Sequence, residues 1–198
     1  LSEFMLQQTQ VKTVIPYFNN FVEKIPNLKS LSKTKEQKVL KLWEGLGFYR
    51  RAINLHKTSK ILIKKYNGKI PNSFENLKDL PGIGDYTANI LLALIYNQPR
   101  IGLDGNVKRV LRRFFETNKF DKVNLFKTKR NSDLAEALME FGALICKPKD
   151  PQCHECKIRG MCSYYNSGSN IQLKKKIKIK FKNYDIFCYL KKDKKQIA

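Results

Sequence analysis

Acidic residues are scarce in this 198-residue chain: 17 Asp and Glu stand against 39 Lys and Arg, a formal charge of +22. Solubility does not call for so much charge of one sign, so the deficit points to a polyanionic partner, although a bias towards lysine accounts for part of it. Long apolar runs are also missing. None approaches the length needed to span a bilayer, and no amphipathic, Trp-bearing surface helix stands out, which favours nucleic acid over membrane. The first residues carry no signal peptide. The five cysteines do not form a secreted disulfide framework, because Cys146, Cys153, Cys156 and Cys162 crowd into one short stretch and Cys188 stands apart. The chain opens on Leu1, without Met, inside an apolar helix-like run, which reads as a fragment lacking its N-terminus.

What is present can build a core, since 42% of the residues are hydrophobic and the length suits one or two small domains. Helical signals dominate up to the cysteines. Val11, Val14, Ile15, Phe18 and Val22 recur at helical spacing, and Thr34-Lys35-Glu36-Gln37 has the form of a capping box ahead of Val39, Leu40 and Trp43. Gly45 and Gly47 break the pattern. A helix is expected over 55–66, closed by Asn67-Gly68, and a strongly apolar one over 86–96. After Asp104-Gly105-Asn106, an apolar face of Val107, Val110, Leu111, Phe114 and Phe115 opposes a basic face of Lys108, Arg109, Arg112 and Arg113. Leu134, Leu138, Phe141 and Ile145 mark a last helix running into Cys146. Beyond Cys162, residues 163–170 look linker-like, and Ile177, Ile179 and Phe181 alternate with lysines at the period of a half-buried strand.

The spacing C-x6-C-x2-C-x5-C gathers four soft thiolates just after a helix, which suits an iron–sulfur cluster or zinc. Zinc sites more often use two C-x2-C hooks, and one occurs here, so a 4Fe–4S cluster is favoured with zinc as the alternative. His154 reads as a solvent-facing neighbour and Cys188 as an ordinary strand residue. A second motif, Leu80-Pro81-Gly82-Ile83-Gly84-Asp85-Tyr86-Thr87-Ala88, is a two-glycine turn opening onto an apolar helix. Glycines let backbone N–H groups approach a phosphate, and the helix start adds partial positive charge; many such turns are nevertheless plain turns.

The hairpin and the cysteine spacing, in this order, resemble the endonuclease III-like helix-hairpin-helix glycosylase superfamily. Within it, Leu1-Ser2-Glu3-Phe4-Met5-Leu6-Gln7-Gln8-Thr9-Gln10-Val11, Gly45-Leu46-Gly47-Phe48-Tyr49, Leu103-Asp104-Gly105-Asn106-Val107-Lys108-Arg109-Val110 and Gly142-Ala143-Leu144-Ile145-Cys146 resemble the adenine-removing MutY branch. The resemblance runs from residue 1 to about 165. It implies an all-α, two-lobed core with an iron–sulfur loop over 1–165, a linker over 166–175, and over 176–198 the start of a truncated, Nudix-like, β-containing domain. It also implies a monomeric enzyme of base excision repair, cytoplasmic, nucleoid-associated and bacterial, acting on double-stranded DNA with A:8-oxoguanine or A:G mispairs.

By the same resemblance Glu3 is the general acid, Asp104 stabilises the sugar cation, and Asn106 and Tyr86 support them. The chemistry fits those residue types: breaking a glycosidic bond through an oxocarbenium-like state needs one carboxyl that donates a proton and another that stays ionised. Without the resemblance, Glu3 reads as a first-turn acid and Asp104 as an N-cap. Bifunctional relatives have a lysine where this chain has Tyr86, so water is the expected nucleophile. Extruding a base leaves a hole to fill, and Gln7, Gln8, Phe48 and Tyr49 resemble the family's wedge, with core packing the plainer reading for Tyr49 in particular. The family usually has tyrosine where Phe48 stands. Thr9, Gly82, Gly84, Thr87, Lys108 and Arg109 are expected at DNA, and Glu136 and Val11 at the base pocket. Cys146, Cys153, Cys156 and Cys162 are the expected cluster ligands. The stretch between Asp104 and Cys146 is shorter than the family pattern. Two alternatives stay open, a thymine-mismatch or pyrimidine glycosylase and a non-catalytic iron–sulfur DNA-binding module.

Overall fold

A computed structural model describes residues 1–118 and 128–168; the expected strand residues Ile177, Ile179 and Phe181, Cys188 and part of the stretch between Asp104 and Cys146 lie outside them. Among the described residues the regular structure is helical throughout: α1 Ser2–Leu6, α2 Val11–Lys24, α3 Leu28–Lys33, α4 Glu36–Leu42, α5 Arg50–Tyr66, α6 Phe74–Lys78, α7 Asp85–Tyr96, α8 Gly105–Phe115, α9 Asn131–Leu144 and α10 Ser163–Asn166, with a 3-10 turn at Arg159–Met161. The chain punctuates these helices as its sequence suggests. Asn67 and Asn97 close α5 and α7 in the left-handed conformation, which asparagine tolerates better than most residues. Asp104 caps α8, its Oδ1 accepting from the Val107 N–H at 2.7 Å.

The helices fall into two lobes. In the first, α1 to α7 surround a core in which Trp43, Phe21, Met5, Val39 and Leu77 are fully enclosed. Phe21 meets Trp43 edge-on, with centroids 6.3 Å apart, an arrangement that adds about 0.5–1.5 kcal/mol beyond the area buried. In the second lobe α8 packs on α9 and α10, while α9 also packs on α7 and so joins the lobes.

Several sequence expectations change on folding. Thr34 does not cap α4; it ends α3, donating its hydroxyl to the Ser30 carbonyl at 2.8 Å, and Lys35 occupies the cap position without a side-chain bond. The capping box lies one helix earlier, where Asn27 and Ser30 exchange hydrogen bonds. The helix expected over 55–66 begins at Arg50. On α2 the repeating apolar residues split, with Val14 buried and Val11, Ile15 and Val22 exposed, because Val14 and Phe21 are the ones that meet the core. The stretch read as a linker starts with a helical turn, Ser163–Asn166, fastened by the Asn166 side chain to the Gly160 carbonyl.

Candidate active site and cysteine pocket

The two-glycine turn joins α6 to α7 and is held from both sides. Gln7 Nε2 donates to the Gly82 carbonyl at 3.1 Å, and the Thr58 hydroxyl to the Pro81 carbonyl at 2.9 Å. Gly82 has φ +82°, and a Cβ there would lie 2.8 Å from Phe4 Cε1 and 2.9 Å from Asn54 Cβ, so the position requires glycine twice over. Gly84 caps α7 with no side chain filling its first turn, which leaves the opening amides of that helix presented outward. A glycine turn onto a helix start is the local form in which backbone N–H groups can meet an anion, and Thr87 is buried in the first turn of α7.

Glu3 lines a cavity of about 470 Å³, within the range of small-molecule sites, together with Phe4, Leu55, Thr58, Ile83 and Thr87. Burial pushes the Glu3 carboxyl above its usual range, with the charge of the Leu1 amino group opposing. Both acids act on Tyr86: burial first, then the charge of Glu3, then that of Asp104, push its phenol up to about 12. At neutral pH it is an un-ionised hydroxyl, placed to donate to Met139 Sδ at 3.4 Å. Two residues before Asp104, the backbone of Gly102 packs directly on α7, since a Cβ there would fall 2.6 Å from Tyr86 Cε2. Residues about a hundred positions apart in the chain, Glu3 and Asp104, thus both act electrostatically on Tyr86.

Behind Asp104, Asn106 Oδ1 accepts from Arg109 Nη2 at 2.9 Å. Arg109 is only 9% exposed and donates further to the carbonyls of Gly142, at 2.6 Å, and Cys146, at 2.8 Å. The basic face expected on α8 is therefore corrected. Lys108 remains outside, but Arg109 and Arg113 turn inward, because the carbonyls at the end of α9 satisfy guanidinium donors that water would otherwise hold. Arg109 is consequently not displayed for phosphate contact.

Arg113 sits among the cysteines, with Nη1 at 3.3 Å from Cys146 Sγ and its guanidinium over the Tyr164 ring at 4.9 Å. Cys146, Cys153, Cys156 and Cys162 all line one small cavity of about 30 Å³. The Cys153 thiol is pushed up by burial and then by Cys146, Cys156 and Cys162, the response of sulfurs close enough to repel one another as thiolates. Among the described residues no three or more His, Cys, Asp or Glu are drawn together tightly enough for a single metal ion. Four cysteine thiols around one cavity, beside the Arg113 guanidinium, are a donor set of the kind that holds zinc or an iron–sulfur cluster. His154 faces solvent beside Glu155, as its sequence position suggests.

The remaining site residues divide. Gln8 and Phe48 are exposed and both have positive φ, 57° and 48°. Phe48 is 59% exposed; Tyr49 is exposed too, which overturns the core-packing reading, since its hydroxyl accepts from the Gly45 N–H at the surface. Thr9 is half-buried, its hydroxyl donating to the Gln7 carbonyl. Val11 and Glu136 are exposed and do not line the cavity beside Glu3. Arg51 is the residue that sequence reasoning missed, because an arginine between Arg50 and Ala52 in a helix carries no signal of burial; it is 7% exposed.

A helical chain in which a two-glycine turn opens onto an apolar helix, held to the end of α1 by Gln7, is of the helix-hairpin-helix class. The chain belongs to the HhH-GPD superfamily of base excision DNA repair proteins, whose family model matches residues 1–143. It is 42% identical over 183 residues to the adenine DNA glycosylase of Buchnera aphidicola subsp. Baizongia pistaciae, covering 87% of this chain and 52% of that relative. It is 34% identical to the adenine DNA glycosylase of Homo sapiens, covering 82% of this chain and 32% of the relative. The chain spans about half the length of the bacterial relatives it matches. Among solved structures it resembles a trapped endonuclease III–DNA covalent intermediate (TM-score 0.70, 25% identity, 84% of this chain and 83% of that one). A thermostable thymine-DNA glycosylase is also similar (TM-score 0.68, 28% identity, 84% and 82%). No helix among the described residues is long and apolar enough to cross a membrane.

Proposed function

We propose that the protein is a monofunctional adenine DNA glycosylase acting on duplex DNA in which adenine is mispaired with 8-oxoguanine or guanine. The observation that carries the reading is Tyr86, on which the charges of both Glu3 and Asp104 act, while burial pushes the Glu3 carboxyl above its usual range. Glu3 donates that proton to adenine N7, the bond from C1′ to the base breaks, and Asp104 stays ionised beside the sugar cation. Water then adds to C1′ and loses a proton, leaving an abasic site. Relatives named adenine DNA glycosylase in bacteria and eukaryotes support the choice of base.

The hairpin before α7 and Lys108 hold phosphates, and Gln7, Gln8, Phe48 and Tyr49 fill the space the base vacates. Cys146, Cys153, Cys156 and Cys162 would hold a 4Fe–4S cluster, which would cross-link their thiolates and so fasten this loop. The substrate places the protein at the chromosome, in a bacterial cell at the nucleoid. Base release from A:8-oxoguanine, A:G, A:T and T:G duplexes tests the reading. Adenine release from the first two supports it. Release of thymine instead makes the protein a thymine-mismatch enzyme, and binding with no release from any duplex makes it a DNA-binding module.

A further inference from the structure

Arg51 is enclosed by two separate turns. Its Nη1 donates to the carbonyls of Phe4, at 3.2 Å, Met5 and Gln7, at 2.7 Å, all at the end of α1. Its Nη2 donates to the carbonyls of Leu46, at 3.4 Å, and Gly47, at 3.1 Å, in the loop before α5. The guanidinium also lies over the Trp43 ring at 5.5 Å and the Phe48 ring at 5.3 Å. The carbonyls it captures have a common place in the chain. Gln7 immediately precedes Gln8, and Gly47 immediately precedes Phe48, both exposed side chains with left-handed backbone. Neither Gln nor Phe favours that conformation, so something must hold each peptide in place, and in both cases it is the same planar fork.

We propose that Arg51 is the positioning residue that fixes Gln8 and Phe48 in register with each other, so that both enter the duplex together when a base leaves the stack. The inference rests on the wedge role given to these residues above. Arg51 itself touches no base. A lysine keeps the charge but presents its donors from one point, and it cannot span two turns and stack on two rings.

The test uses Arg51→Lys and Arg51→Gln with a duplex carrying 2-aminopurine at the target position, whose fluorescence rises when it unstacks. Three quantities are read: the fluorescence rise at saturating protein, the affinity at one stated salt concentration, and the melting temperature. Both variants are expected to stay folded at the assay temperature and to bind within about threefold of the unmodified protein, because phosphate contacts dominate binding. Both lose most of the fluorescence rise and about 10²-fold in single-turnover base release, the scale of a misplacement of about an ångström. A full fluorescence rise in Arg51→Lys overturns the proposal. So does a loss of affinity and fluorescence in equal proportion, or failure of both variants to fold, since either makes Arg51 a stability residue only. If the unmodified protein binds duplex without any fluorescence rise, the glycosylase reading fails instead.

Discussion

Gly142 on α9 lies so close to Asn106 on α8 that a Cβ at position 142 would stand 2.9 Å from Asn106 Cβ and 3.2 Å from its carbonyl oxygen. Neither atom is the end of a flexible side chain, so an added methyl must push α8 and α9 apart at the point where Asn106 backs Asp104. Gly142→Ala is expected to cost about 1–3 kcal/mol of stability and to lower base release. Thermal unfolding and single-turnover kinetics measure the two; a variant unchanged in both means the helices separate freely there.

Asp104 both caps α8 and serves the proposed chemistry, and two substitutions separate these roles. Asparagine is as good a cap, so Asp104→Asn keeps the bond to the Val107 N–H and the stability while losing the negative charge and the activity. Asp104→Ala loses the cap as well, at about 1 kcal/mol. Equal melting temperatures for the two variants show that the cap contributes nothing.

Glu3→Gln gives a pH-dependent signature. The folded carboxyl is held above its unfolded range, chiefly by burial, so its contribution to stability is present at low pH and is lost as pH rises through the folded value. Glutamine does not titrate. The variant therefore gains stability relative to the unmodified protein as pH rises through that range, while base release falls by roughly 10²-fold, the low end for losing a general acid. Melting temperatures of both proteins across acidic to neutral pH check the first part, and a constant difference between them removes the buried-acid assignment.

The cysteine cavity predicts a brown protein with about four irons and four sulfides per chain. Cys153→Ser and Cys156→Ser are expected to lose the visible absorbance, and iron and sulfide analysis after anaerobic purification decides the composition. Stoichiometric zinc without iron gives the site to the alternative metal.

Tyr86 bears on the reaction type. A phenol pushed up to about 12 is not a nucleophile at neutral pH, and by the motif resemblance Tyr86 takes the place of the Schiff-base lysine. Borohydride should trap no dominant enzyme–DNA adduct, and the product strand should remain intact until alkali is added. A major trapped species resolved by denaturing electrophoresis argues for a lysine elsewhere.

Much of this protein is decided by short-range chemistry and is legible residue by residue. The left-handed stops at Asn67 and Asn97, the Asp104 cap, the glycine turn at Gly82 and the crowding of Cys146 to Cys162 are each satisfied within a few positions, so they survive into the fold unchanged. The motif resemblance added the pairing of Glu3 with Asp104, which no local pattern contains. The partners of Arg51, Arg109 and Arg113 could not be read in this way. Periodicity assigns arginine to water because burying a guanidinium is costly, and the cost is met here by carbonyls from α1, from the loop before α5 and from the end of α9. Those acceptors converge only once the lobes have formed. The chain's order of residues therefore determined its helices and its chemical groups, and tertiary packing alone decided which charges leave the surface and what they hold in place.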